Sequence, residues 1–248
     1  MSTQLTLILG KTGTGKSTSL RNFTKMDGIG YITATGKPLP FKSDIPQFHA
    51  KSYAELTAVI NQSEVPIIVI DDFNYFMSFE EFSQASVKGY EKFTQMAVNV
   101  VNVIDLITKK NSDQRFYILA HSENNESGDL RLKTTGKMVS DKFVPEGLTN
   151  QVVETAVLDK EFVFKVKTDG TGIKTPMGMF DTPTIPNDLK VLDESIKAFY
   201  APAKETKKQC LIISIIQAPP GLTQYIQTRD ALQRVLTAWV QKRRYPLE

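Results

Sequence analysis

Gly10-Lys11-Thr12-Gly13-Thr14-Gly15-Lys16-Ser17 is the densest run of chemistry-bearing residues in the chain. It fits G-x-x-x-x-G-K-[ST] at every fixed position, the pattern of a loop that cradles phosphates. Glycines at this spacing let successive backbone N–H groups turn inward into an anion-binding nest. Lys16 is expected to reach the β- and γ-phosphates of a nucleotide, and the Ser17 hydroxyl to take a place on Mg²⁺. Thr12, Gly13, Thr14, Gly15, Lys16, Ser17 and Thr18 make up the expected nucleotide-binding set. The bland alternative is a glycine-rich strand–helix turn that binds nothing.

A second cluster follows the apolar run Pro66-Ile67-Ile68-Val69-Ile70, which ends on Asp71-Asp72. Carboxylates at the carboxyl end of a buried strand stand where ligands collect in open α/β sheets. Asp71 is expected to hold the metal, directly or through water. Asp72 either orients or deprotonates an attacking water, or caps the next helix. His121 comes just after a third apolar run, Arg115–Ala120. If that run pairs with the acidic strand, His121 points to the γ-phosphate and can sense hydrolysis. No glutamate directly follows the aspartates, so the base is left open among Asp72, Glu123 and Glu80 or Glu81. Arg131, Lys133 and Lys137 are candidate cations for the transition state, or simply a solvated charged loop.

These residues need a frame. Gln4–Leu9 reads as a central strand, and Lys16–Thr24 as the helix after the loop. Gly30–Thr33 and Ile45–His49 read as short strands, Tyr53–Asn61 as a helix and Val65–Ile70 as a strand buried on both faces. Ser78–Lys110 is a proline-free helical stretch that Gly89 interrupts. Asn124–Gly136 reads as a loop or loose hairpin. Gln151–Leu158 and Glu161–Lys167 form a second hairpin across Asp159-Lys160, Thr168–Thr184 a loop, and Leu189–Tyr200 a helix. Alternating strands and helices predict an α/β fold with a mostly parallel sheet flanked by helices. Residues 1–200 form the expected main domain. Residues 201–248 are a linker and an amphipathic terminal helix, with Leu232, Val235, Leu236, Trp239 and Val240 on one stripe.

Composition narrows the class without choosing it. The 248 residues are 41% hydrophobic and 23% charged, with a net charge of +3. Residues 201–248 hold eight Lys/Arg against three Asp/Glu, a net +5, which leaves 22 against 24, a net −2, for the rest. The longest apolar runs, Leu211–Ile216 and Ile67–Ile70, fall far short of the roughly 20 residues of a membrane span. No secretory signal pattern opens the chain, and its one cysteine, Cys210, cannot close an intrachain disulfide. A cytoplasmic location with no membrane contact is expected. One cysteine and two histidines also argue against a zinc site.

Several of these stretches together resemble the phage-encoded RecA-like ATPases, and among them the short ATP-binding proteins of the Sak type. The resemblance is carried by Gly10–Ser17, by Ile68-Val69-Ile70-Asp71-Asp72-Phe73 and by Gly89-Tyr90-Glu91-Lys92-Phe93. It continues through His121-Ser122-Glu123, Lys133-Thr134-Thr135-Gly136-Lys137-Met138, Lys174-Thr175-Pro176-Met177-Gly178-Met179-Phe180 and Pro186-Asn187-Asp188-Leu189-Lys190. It covers about residues 3–200 and stops there. It implies a RecA-like P-loop NTPase core, ATP and Mg²⁺ as cofactors, and assembly into a homo-oligomer. It also implies a role with single-stranded DNA in phage recombination, annealing or replication, alongside phage or host proteins. Lys16, Asp72, His121 and Glu123 become the expected catalytic residues, and Ser17 and Asp71 the metal ligands.

Two functions compete on this reading. One is a DNA-dependent ATPase. The other is a nucleotide-gated interaction or loader protein that uses ATP as a switch, which the missing glutamate and the extra terminal helix favour. A small-molecule phosphotransferase is disfavoured, because residues 122–140 carry only Arg131 where such kinases use an arginine-rich lid.

Overall fold

The computed structural model describes residues 3–87, 89, 91–110, 112–135, 144–168 and 170–201. The chain divides at Ala201–Pro202, and the expected terminal helix, like Lys137, lies outside the described residues.

The apolar runs become the strands of one mostly parallel sheet. In chain order these are β1 (Gln4–Gly10), β2 (Ile29–Thr33), β3 (Gln47–His49), β4 (Ile67–Asp71), β5 (Arg115–Asn124), β6 (Leu130–Leu132), β7 (Gln151–Leu158), β8 (Glu161–Lys165) and β9 (Thr184–Pro186). The lateral order is β3-β2-β4-β5-β1-β7-β8-β9, with β6 attached to β5. Neighbours from β3 across to β7 run parallel, whereas β6, β8 and β9 join antiparallel. The loop-bearing β1 and the acidic β4 are thus separated by β5 alone.

Alternation along each strand fills two cores. Leu5, Leu7 and Leu9 of β1 join Ile68, Ile70, Phe116 and Ile118 on one face. There they meet α1 (Tyr53–Gln62), α2 (Asn74–Ser83) and α3 (Glu91–Lys109) through Leu56, Ile60, Phe76, Val100, Val103, Ile104 and Ile107. Ile8, Val69, Tyr117, Leu119 and Val153 face the other way, onto Leu20 and onto α5 (Leu189–Tyr200) through Leu189, Leu192 and Ile196. A four-residue helix, α4 (Pro145–Leu148), precedes β7 and has no counterpart in the sequence reading. No helix among the described residues is long and apolar enough to cross a membrane.

Local chemistry sets most boundaries. Ser52 caps α1 by accepting the Glu55 N–H at 3.2 Å, and Asp188 caps α5 by accepting the Lys190 N–H at 3.0 Å. The β7–β8 turn places Asp159 and Lys160 at φ +50° and +69°. That left-handed pair matches the twist of a tight two-residue hairpin. Gly89, at φ +105°, lies between α2 and α3, as the helical stretch from Ser78 to Lys110 anticipates. α2 begins four residues earlier than expected, at Asn74.

Four expectations need correction. The helix foreseen over Lys16–Thr24 is only a six-residue 3-10 turn, Ser17–Asn22, after which Phe23 is extended. Serine and threonine compete for backbone groups, and the Ser19 hydroxyl donates to the Lys16 carbonyl at 2.6 Å. The third apolar strand runs on to Asn124, so His121, Ser122 and Glu123 lie within β5 rather than beyond it. Pairing of Ser122–Asn124 with Leu130–Leu132 of β6 sustains that extension. The loop assigned to Thr168–Thr184 also ends in a strand, β9, and β8 stops at Lys165 rather than Lys167.

Candidate functional site

The phosphate-loop pattern connects β1 to the 3-10 turn, so it sits at the carboxyl end of a fully buried strand. Gly13 and Gly15 adopt φ +79° and +92°, a region open to glycine at little cost. Gly10 has no room for a side chain, since a Cβ there would lie 1.9 Å from the Thr155 hydroxyl. Thr14 ties the loop down twice, donating to the Lys11 carbonyl at 2.7 Å and meeting the Thr155 hydroxyl at 2.6 Å. Lys11, Thr12, Gly13 and Thr18 are exposed, whereas Lys16 is buried. The Lys16 ammonium donates to the Gly10 carbonyl at 2.8 Å and the Lys11 carbonyl at 2.9 Å. Burial pulls its pKa below the ordinary lysine value, against the opposing attraction of Asp71 and Asp72.

Asp71 ends β4 at 1% exposure. Its Oδ2 accepts the Ser17 hydroxyl at 2.6 Å and the Tyr31 hydroxyl at 2.9 Å, and its Oδ1 accepts the Asp72 N–H at 2.8 Å. Every one of these donors is neutral. Burial drives the Asp71 pKa above the usual carboxylate value, and Asp72 adds to the rise, while the donated hydrogen bonds hold it back. Asp72 turns the chain with φ +58°, a conformation that aspartate tolerates better than most residues. Its carboxylate accepts the Thr35 hydroxyl at 2.8 Å. Phe73, not Asp72, is the residue that precedes α2, and no side chain caps that helix. The capping alternative for Asp72 therefore falls.

β5 brings His121 into the same neighbourhood. Its Cα lies in register with Gly10 on β1, and β5 also pairs with β4. The condition set for His121 is therefore met. Burial lowers the His121 pKa, and Lys16, Lys133 and Lys37 lower it further against the pull of Asp72. These surroundings favour the uncharged ring. Asn74 was not singled out by sequence, yet it anchors this corner. Its Oδ1 accepts the His121 N–H and its Nδ2 donates to the Lys133 carbonyl, while the Lys133 N–H donates to the His121 carbonyl at 2.9 Å. Tyr75 completes the corner, edge-on to the His121 ring with centroids 6.2 Å apart.

The remaining candidates scatter. Glu123 stands opposite Arg131 in the β5–β6 pair and lines a separate cavity of about 540 Å³ with Arg131 and Glu146. Arg131 leans towards the buried Glu146 at 3.7 Å. Glu80 accepts the Asn99 amide at 2.6 Å and is thereby turned onto α3. Lys16, Ser17, Asp71, Asp72 and His121 converge where β1 and β4 end on either side of β5, and Glu80 and Glu123 do not join them.

Three further residues, two touching the loop and one Asp71, were given no site role by the sequence reading. Thr155 and Tyr31 lie on strands whose pairing with β1 and β4 only the fold reveals. Asn187 packs against Gly15, its Oδ1 lying 3.0 Å from where a Cβ would stand. No protein-family model matches this chain, and no curated protein matches it.

Proposed function

We propose that this chain binds Mg·ATP in the Gly10–Thr18 loop and hydrolyses it as a RecA-like P-loop ATPase of the phage type. Its site of action is single-stranded DNA in recombination, annealing or replication, as a cytoplasmic homo-oligomer. The observation that carries the reading is the 2.6 Å contact between the Ser17 hydroxyl and Asp71. It joins the loop of one strand to the acid of another, beside a buried lysine. The sheet, with β5 between β1 and β4, is compatible with a RecA-like core, and the stretches quoted above supply the rest of the resemblance.

The residues fit a magnesium ion. A hard cation takes oxygen ligands, and Mg²⁺ keeps several waters while using one or two protein groups. Ser17 and Asp71 offer a hydroxyl and a carboxylate with no ion-pair partner among the described residues. Held by Ser17 and Asp71, the ion would supply charge neutralisation for the phosphates. Lys16 exchanges its two carbonyl partners for phosphate oxygens, and the backbone around Gly13 and Gly15 wraps the chain of phosphates. Asp72, steadied by Thr35, is the carboxylate left to orient or deprotonate water. Neutral His121 can donate to the γ-phosphate and report its loss through Asn74 to the β5–β6 hairpin.

Calorimetric titration of Mg·ATP, with turnover measured with and without single-stranded DNA at low salt, tests this. DNA is expected to raise the rate, and rising salt to weaken DNA binding as counterions are released. Absence of ATP binding overturns the whole reading, and absence of any DNA effect overturns its second half. A specific observation also supports the switch reading: Glu80 and Glu123 are turned away from the site. On that reading ATP stays intact over hours while it changes the oligomeric mass.

A further inference from the structure

The β7–β8 hairpin stands against the phosphate loop, and its loop-facing side does not end where the contact ends. Thr155 on β7 meets Thr14 of the loop at 2.6 Å. Alternate residues of a strand share a face, so Val157 lies on the side that Thr155 turns to the loop. The antiparallel register sets Phe162 opposite Val157. The Asn187 N–H donates to the Phe162 carbonyl at 3.2 Å, which extends the row across a third segment. Phe162 and Asn187 both press on the loop, since a Cβ on Gly15 would lie 3.0 Å from a Phe162 ring carbon and 3.0 Å from Asn187 Oδ1.

Two features of this row call for a ligand. Val157 and Phe162 are an apolar pair left 46% and 49% exposed beside a polar loop. Asn187 is the reverse, 2% exposed, with neither its Oδ1 nor its Nδ2 hydrogen-bonded. Buried carboxamides are ordinarily satisfied. A flat ring with a polar edge would answer both features.

We infer that the row Val157–Phe162–Asn187 is the nucleobase subsite of the nucleotide held by the loop, and that it selects adenine. This rests on the phosphate-loop reading above. Phe162 stacks on the base. Its outer side is open to solvent, and because the ring and the Asn187 carboxamide abut the same Gly15, the ring must swing off Gly15 for the amide to meet the base. That amide presents one donor and one acceptor side by side. The N6/N7 edge of adenine offers the complementary acceptor and donor, whereas the O6/N7 edge of guanine offers two acceptors.

The test is calorimetric titration of the full chain with Mg·ATP, Mg·GTP and Mg·tripolyphosphate, the last having phosphates but no base. In the unmodified protein ATP is expected to bind about tenfold tighter than tripolyphosphate, the gain of one stacked base. Phe162→Ala removes that gain and leaves tripolyphosphate binding unchanged, whereas Phe162→Trp retains it. Asn187→Leu brings the ATP and GTP affinities together without lowering the melting temperature, because the carboxamide has no partner to lose. If ATP and tripolyphosphate bind alike, or Phe162→Ala weakens both alike, the base subsite is overturned while the phosphate loop stands. If Asn187→Leu lowers the melting temperature and keeps the ATP preference, Asn187 is structural and the adenine selection is overturned. If neither ligand binds the unmodified protein, the phosphate-loop reading fails and this inference with it.

Discussion

Asp71 and Asp193 are both nearly sealed from water, at 1% and 4% exposed. Each accepts a tyrosine hydroxyl, from Tyr31 at 2.9 Å and from Tyr117 at 2.7 Å. What balances their charge differs. Asp193, on α5, takes a two-pronged guanidinium from Arg115 on β5, with Nε at 2.5 Å and Nη2 at 3.1 Å. Asp71 takes only hydroxyl and amide donors, while Lys16, its neighbouring cation, spends its hydrogen bonds on carbonyls. A buried carboxylate with a fitted guanidinium is a clamp, here holding α5 against the sheet. One with neutral donors alone retains charge for a cation that arrives from outside.

That contrast can be broken or sharpened by substitution. Asp193→Asn strands the Arg115 charge and is expected to lower stability by about 3 kcal/mol or more, read as a melting temperature about 6–12 °C lower. An unchanged melting temperature in Asp193→Asn would break the comparison. Lys16→Ala is expected to weaken Mg·ATP binding by about 10–100-fold, the worth of a hydrogen bond to a charged group, without unfolding the chain. Unchanged affinity by calorimetry would mean that Lys16 does not hold the nucleotide.

Asp71→Asn should act in the opposite sense to Asp193→Asn. Burial raises the folded-state pKa of Asp71 above its ordinary 3.8. The stability it contributes is therefore present below that value and is lost as pH rises through the raised pKa. In the ligand-free protein at neutral pH, the asparagine variant is expected to melt about 2–4 °C higher, the shift of ~1 kcal/mol in a domain of this size. It should also lose turnover more than nucleotide binding. A lower melting temperature would make Asp71 a clamp like Asp193. The smallest effect concerns His121, whose pKa burial and Lys16 pull below 6.5. The folded state resists the proton, so stability falls as pH drops below about 6.5. His121→Asn should flatten melting temperature against pH between about 5 and 7, and an unaltered slope would assign the titration to another group.

The sequence made one half of this comparison visible and hid the other. The loop announces itself because eight contiguous residues must build it, and Asp71-Asp72 because five apolar residues precede them. The β7–β8 hairpin and α5 were equally legible, from the Asp159-Lys160 turn and from the periodicity after Asp188. Asp193 offered no such signal. Its partners Arg115 and Tyr117 lie over seventy positions away, and only the packing of α5 on β5 joins them. Thr155, Tyr31 and Asn187 were hidden for the same reason. The helix expected after the loop shrinks to a 3-10 turn because the weak helix propensity of Ser17-Thr18-Ser19 outweighs the strand–loop–helix context. The full extent of β5 leaves no apolar signal because its polar continuation, His121–Asn124, is sustained by β6 rather than by burial.

The position of β5 bears on how the molecule opens. Residues Gln4–Gly10 pair with it on one side and Ile67–Ile70 on the other. Any fluctuation that parts the two strands carrying the loop and the acid must therefore unzip one of two ladders on a common central strand. Amide hydrogens of Phe116–Ala120 should consequently be among the last to exchange with deuterium, surrendered only when the whole sheet comes apart.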